Sequence, residues 1–268
     1  MARIVLLRGG GDLASGVALR LFRAGIKVVI TELAKPLAVR RTVSFSQAVY
    51  DGEVQVEEVV ARLVKDPLDA LAQLAARTIP VLIDPAVNAR AELEPLVIVD
   101  GRLTKQTPDL GRDSAELVVG LGPGYVAGDN CHAVIETRRG PTLGRVIWHG
   151  SPDPDTGLPD PVFHYQVERV LRAPKDGILS TFAEIGDHIQ AGQVIAEVAG
   201  EPVRALFPGT LRGLLLPGME VKKSLKIGDL DPRDDPRLVR FVSDKSLAVG
   251  GGVMEAILAR PEIRALLW

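Results

Sequence analysis

Residues 3–14, Arg3-Ile4-Val5-Leu6-Leu7-Arg8-Gly9-Gly10-Gly11-Asp12-Leu13-Ala14, decide the reading of the fold. The apolar run Ile4 to Leu7 is cut off by three glycines, the pattern of a strand buried on both faces in a parallel sheet. A helix is predicted next, because Leu13, Val17, Leu21 and Phe22 recur at helical spacing and Gly25 stands where a left-handed cap belongs. A second strand, Lys27 to Thr31, ends at Glu32. Strand, glycine turn, helix and strand fit within about thirty residues, the size of a βαβ unit. Further buried strands are predicted at 80–83, 95–99 and 116–119, with a helix over 67–77, so the fold class is α/β with a Rossmann-like, mostly parallel sheet.

Gly9 to Ala14 satisfies the G-x-G-x-x-A dinucleotide fingerprint in its required place between strand and helix. The chemistry behind that pattern is close approach of backbone N–H groups to a pyrophosphate, which a Cβ would obstruct. Gly9, Gly10, Gly11, Asp12 and Ala14 are therefore candidate ligand-binding residues, with Asp12 read as a helix N-cap. Glu32 stands where an acid would accept hydrogen bonds from a ribose diol and repel a 2′-phosphate. Arg40 and Arg41 would pair with phosphate, or else form a solvated charge pair on a loop. Gly122 and Gly124, in the turn after another core strand, would supply a second wall of the same cleft, or serve only a sharp turn. Cys131 beside His132 makes an incomplete nucleophilic or metal site, and a buried, inert cysteine is the preferred reading. His149, His164 and His188 show no ligand spacing, and Gly250 to Gly252 lead into a helical run as a second possible anion site. No catalytic residue and no metal ligand is assigned.

Composition narrows the class. The 268 residues carry 32 basic and 34 acidic side chains, so no whole-chain field draws the protein to nucleic acid or to an anionic membrane. No apolar stretch approaches the roughly 18 residues of a membrane span, and Met1-Ala2-Arg3 is too short a prelude for a signal-peptide core. One cysteine excludes an intrachain disulfide and fits a reducing compartment, so a cytoplasmic location is expected.

The segment 151–161 packs proline and glycine densely and marks a boundary between a nucleotide-binding domain, 1–150, and a β module, 162–235, with 236–268 returning to the first domain. The module carries a repeat. Arg172 to Leu179 aligns with Arg204 to Leu211, and Gly186 to Ile189 with Gly218 to Val221, at an offset of 32 residues. The glycine and proline pattern resembles the biotinyl and lipoyl type of barrel-sandwich hybrid. The connecting hairpin, Val198 to Pro202, has no lysine, so neither biotin nor lipoate is expected, and a docking role is favoured.

Four blocks carry a wider resemblance: RIVLLRGGGDLASGVALRLFRAGIKVVITEL, PLAVRRTVSFSQAVYDGEV, GLGPGYVAG with the following HAVIETRRGPTLGRVIW, and SDKSLAVGGGVMEAIL. They resemble the YqeB-type family, accessory proteins of the selenium-dependent molybdenum hydroxylase system. The resemblance implies a maturation factor that binds a nucleotide or a molybdopterin-cytosine-dinucleotide-like cofactor and meets a molybdenum hydroxylase apo-enzyme. Two other classes stay open: an NAD-dependent oxidoreductase, for which no proton donor is evident, and a non-catalytic interaction protein.

Overall fold

The computed structural model describes residues 3–267, and the chain within it divides into two units. The first takes the residues up to Pro36, Ser44–Asp155 and those from Val242 onward. Its strands are β1 (Ile4–Arg8), β2 (Lys27–Glu32), β3 (Glu53–Val56), β4 (Val59–Val64), β5 (Ile79–Ile83), β6 (Val97–Asp100), β7 (Leu117–Leu121), β8 (Ala133–Ile135) and β9 (Val146–Ile147). Its helices are α1 (Asp12–Arg23), α2 (Ala48–Asp51), α3 (Pro67–Ala75), α4 (Arg90–Leu93), α5 (Asp244–Leu258) and α6 (Pro261–Leu267). The nine strands form one sheet in the order β3-β4-β5-β2-β1-β6-β7-β8-β9.

β1 lies in the middle because every one of its residues is buried, and such a strand must be covered on both faces. Ile4 and Leu6 share a core with Val29, Ile98, Val118 and Leu74 of α3, while Val5 and Leu7 alternate to the other face. α1 and α5 approach unusually closely. A Cβ on Gly16 would come within 2.5 Å of the Ser246 carbonyl oxygen, and one on Gly250 within 2.7 Å of the Gly16 oxygen. The run Gly250 to Gly252 therefore lies inside α5, whose N-cap is Ser243, and serves helix packing rather than an anion site.

The second unit takes Leu37–Val43 and Thr156–Phe241. Its strands are β10 (Val170–Arg172), β11 (Gly177–Thr181), β12 (His188–Ile189), β13 (Val194–Val198), β14 (Glu201–Arg204), β15 (Gly209–Leu214), β16 (Glu220–Val221) and β17 (Lys226–Asp231). They make two antiparallel sheets, β10-β17-β15-β12 and β14-β13-β11-β16. Shifting β11, β12 and β13 by 32 residues lands on β15, β16 and β17, so the repeat relates one sheet to the other. Each sheet takes strands from both repeat halves around one core that includes Leu179, Leu211, Ile195 and Ile227.

The expected class, a Rossmann-like, mostly parallel sheet with a barrel-sandwich-hybrid-like module, is corrected. The large sheet is mixed: β3 pairs β4 and β8 pairs β9 antiparallel at its two margins. A doubly wound fold places a helix in each crossover, whereas β6 reaches β7 through a loop with a single 3₁₀ turn, and β7 reaches β8 through irregular chain. The second unit is a pair of four-stranded antiparallel sheets. Among the described residues, no helix is long and apolar enough to cross a membrane.

Candidate functional site

The chain leaves β1 toward β2 on one side and leaves β6 toward β7 on the other, which makes the β1–β6 gap the switch point of the parallel strands. Arg8 and Asp100 face each other across it as the last residues of their strands. The Arg8 side chain is only 2% exposed, so its charge needs partners. Its Nη1 donates to Asp100 Oδ2 at 3.0 Å and to Asp109 Oδ1 at 2.7 Å, and its Nη2 donates to Asp109 Oδ2 at 2.9 Å. Arg102 completes the cluster: Nε donates to Asp100 Oδ1 at 2.9 Å and Nη2 to Asp109 Oδ1 at 2.7 Å. Asp100 is buried with Arg8, but the Asp109 side chain is 58% exposed on the loop between β6 and β7. The Arg8 guanidinium, joined by Arg102, holds the Asp109 carboxyl well below the usual carboxylate range.

Tyr125 supplies the floor. Its ring sits over Gly120, where a Cβ would come within 2.0 Å of the ring. Burial pushes its phenol far up, and the negative charge of Asp100 adds to that shift. The hydroxyl faces Asp100 and Arg102 without a hydrogen bond of good geometry to either.

The glycine residues singled out from sequence lie beside this cluster, but for packing reasons of their own. Gly10 N–H donates to Glu32 Oε2 at 2.7 Å, and the Gly10 carbonyl accepts from Ser46 N–H at 2.8 Å. A Cβ on Gly10 would come within 2.8 Å of that same Ser46 nitrogen, so glycine is required there by the protein itself. Gly9, at φ +88°, backs onto Arg102, while Gly11 has open space around it. Asp12 is the first residue of α1 and not its N-cap, which is Gly11; its Oδ1 accepts from Ser246 Oγ at 2.9 Å. Ala14 is buried against Gly101. Glu32 ends β2 as expected, with its two oxygens taken by Gly10 N–H and Leu33 N–H. Gly122 (φ +70°) abuts Thr137 beyond β8, and Gly124 (φ +106°) would drive a Cβ to 2.5 Å from the Gln106 oxygen, so Gly124 seats the loop that carries Asp109.

Arg40 and Arg41 are placed elsewhere. They belong to the second unit, where Arg40 Nη2 donates to the Leu238 and Phe241 carbonyls and Arg41 Nε to the Leu214 carbonyl. Cys131 is fully buried, and burial pushes its thiol up to about 11, which suits an inert side chain. No group of three or more metal-ligating side chains occurs among the described residues. Sequence reading missed Arg8, Asp100, Arg102, Asp109 and Tyr125. The one available signal was charge placed against pattern: Arg8 and Asp100 each end an otherwise apolar strand.

No family model matches the chain. Solved structures align only loosely. An aspartoacylase family protein from Mesorhizobium loti aligns at 12% identity and TM-score 0.27 over 87% of this chain and 86% of that one. A succinylglutamate desuccinylase from Silicibacter aligns at 13% identity and TM-score 0.26 over 85% and 84%. The apo ectoine utilization protein EutE from Ruegeria pomeroyi aligns at 10% identity and TM-score 0.27 over 86% of each chain. A pyrophosphate cradle needs free turn N–H groups, and Glu32 occupies that of Gly10. The roles that require a nucleotide at this turn are corrected accordingly: the molybdenum hydroxylase maturation factor that binds a nucleotide or a molybdopterin-cytosine-dinucleotide-like cofactor, and the NAD-dependent oxidoreductase.

One curated relative is much closer in sequence. The chain is 45% identical over 256 residues to the protein named Uncharacterized protein YqeB of Escherichia coli (strain K12). That identity supports the YqeB-type resemblance along 96% of the chain, which spans 47% of that relative's own length.

Proposed function

We propose that the first unit binds a small carboxylate- or phosphate-bearing molecule at the β1–β6 switch point, with Arg8 and Arg102 as its receptor. One observation carries the reading. The buried Arg8 fork is filled in bidentate geometry by a carboxylate that is itself 58% exposed. Bidentate guanidinium–carboxylate pairing is a strong, geometry-specific recognition mode, and the same fork fits phosphate oxygens. Asp109 stands where a ligand carboxylate would stand, on a loop rather than on a strand. Asp100 offsets only one of the two guanidinium charges, so displacing Asp109 leaves one positive charge facing the cleft. Tyr125 stays protonated because burial raises its phenol, and its free hydroxyl would donate to the ligand.

Isothermal titration of the full chain with a panel of mono- and dicarboxylates and phosphate monoesters tests this. Binding that disappears in Arg102→Gln is the expected result. A panel that binds neither the native chain nor Asp109→Ala would refute it.

A further inference from the structure

We infer that a second, separate oxyanion site lies at the opposite end of the sheet, at the amino-terminal ends of β7 and β8, and that its ligand carries a phosphate group. A pocket of about 520 Å³ opens there, lined by Arg112, Gly128, His132, Trp148, His149 and Arg260. Arg112, Arg260, His132 and Trp148 each bring a hydrogen-bond donor to its lining. His132 precedes β8, and its Nδ1 accepts the Val118 N–H at 2.9 Å. With that lone pair engaged, the neutral ring carries its proton on Nε2 and acts there as a donor. The Trp148 indole is donor-only, and the two guanidiniums have no acceptor.

The arginines are lightly committed. Among the described residues Arg112 makes one hydrogen bond, from Nη1 to the Gly128 carbonyl at 3.3 Å. Arg260 gives Nε to Glu262 Oε1 at 2.6 Å, which leaves its Nη groups available. This contrasts with the switch point, where the guanidiniums of Arg8 and Arg102 are held by two carboxylates. Two cations, an imidazole donor and an indole donor around one cavity match the oxygens and double charge of a phosphate group. Asp113 and Glu116 lie close enough to act on His132, and they limit the local positive field without lining the pocket. Burial, then Arg112 and Arg260, hold the His132 pKa below its ordinary value. An anion between the arginines would reverse that repulsion, so binding and protonation of His132 favour each other.

The test is a titration of the full chain with inorganic phosphate, followed through the ring signals of His132 and His149 by NMR. Saturable shifts of both rings, a rise in the His132 pKa on binding, and at least a tenfold loss of affinity in Arg112→Gln are expected. His149→Gln, which changes an exposed side chain, gives a second check that does not depend on fold integrity. The proposal does not rest on the switch-point reading: phosphate entering the Arg8 fork would leave the rings of His132 and His149 unmoved, so failure here and failure at the switch point are distinguishable. Linear, unsaturable shifts, or affinity kept in both Arg112→Gln and His149→Gln, would overturn the site.

Discussion

Replacing Asp109 by alanine should tighten ligand binding at the switch point. Asp109 receives three hydrogen bonds from Arg8 and Arg102, at 2.7, 2.9 and 2.7 Å. A hydrogen bond to a charged group is worth about 1.5–3 kcal/mol in a buried setting. Since the Asp109 side chain is 58% exposed, solvent screening reduces each to roughly 0.5–1 kcal/mol. The three together hold the loop carboxylate in place by about 1.5–3 kcal/mol, and a ligand must overcome that before it can occupy the fork. At 1.4 kcal/mol per decade, the alanine variant should bind about 10- to 100-fold more tightly, as expected when a competing state is removed. Asp109→Asn keeps the shape but not the charge and should fall between the two. Because the folded-state pKa of Asp109 is depressed, its stabilising contact is present above the unfolded carboxylate pKa and is lost only as pH falls through the lower folded value. The difference between native chain and variant should thus be flat from about pH 5 to 8, above the ordinary carboxylate range. Titration calorimetry at two pH values in that range measures both. Equal or weaker affinity in Asp109→Ala would refute the reasoning.

Four other outcomes follow from the same contacts. Gly16→Val should destabilise the protein by about 2–3 kcal/mol in chemical denaturation, because its Cβ would sit 2.5 Å from main-chain atoms of α5 that cannot yield as a side chain can. Tyr125→Phe should leave thermal stability unchanged or slightly raised, since the buried hydroxyl has no well-formed partner, while ligand affinity falls. His132 titrates below its ordinary value in the folded chain, so the unfolded state binds the proton more readily; stability should therefore drop as pH falls below about 6.5, and His132→Gln should flatten that dependence in pH-resolved melts. Cys131 should resist thiol reagents at neutral pH until denaturant is added, as its buried thiol is pushed up to about 11.

The residues that fixed the local architecture were legible because they act over short range. An apolar run ended by glycines marked β1, helical spacing marked α1, and a 32-residue offset marked the equivalence of the two small sheets. Glu32 was placed correctly at the end of β2, yet its partner was not foreseen. Whether a carboxylate meets a ribose or a backbone N–H depends on where Gly10 and the segment from Ser44 to Gln47 come to rest. The glycines at 10, 16 and 250 look alike in a sequence, and only the packed structure shows that each faces another stretch of main chain. The switch-point cluster was out of reach for a similar reason: Arg8 meets Asp100 and Asp109 across 92 and 101 residues. The antiparallel margin made by β3 and β4 was missed because these strands carry mixed polar and apolar residues with no turn dipeptide of the Asn-Gly type between them.

The closeness of α1 and α5 has a bearing on the order in which the protein is made. α1 spans residues 12–23 and α5 residues 244–258, so the ribosome finishes one long before it starts the other. Throughout that interval the notch at Gly16, shaped to receive Ser246 and Gly250, has nothing in it, and by its end the second unit, closed by Phe241, has been synthesised in full. Domains generally fold as units when their last residues emerge. The second unit should accordingly reach its native state first on the nascent chain, and the first unit should close only after α5 leaves the exit tunnel. A chain ending at residue 241 and released from the ribosome would then carry a protease-resistant second unit beside a first unit that is still digestible.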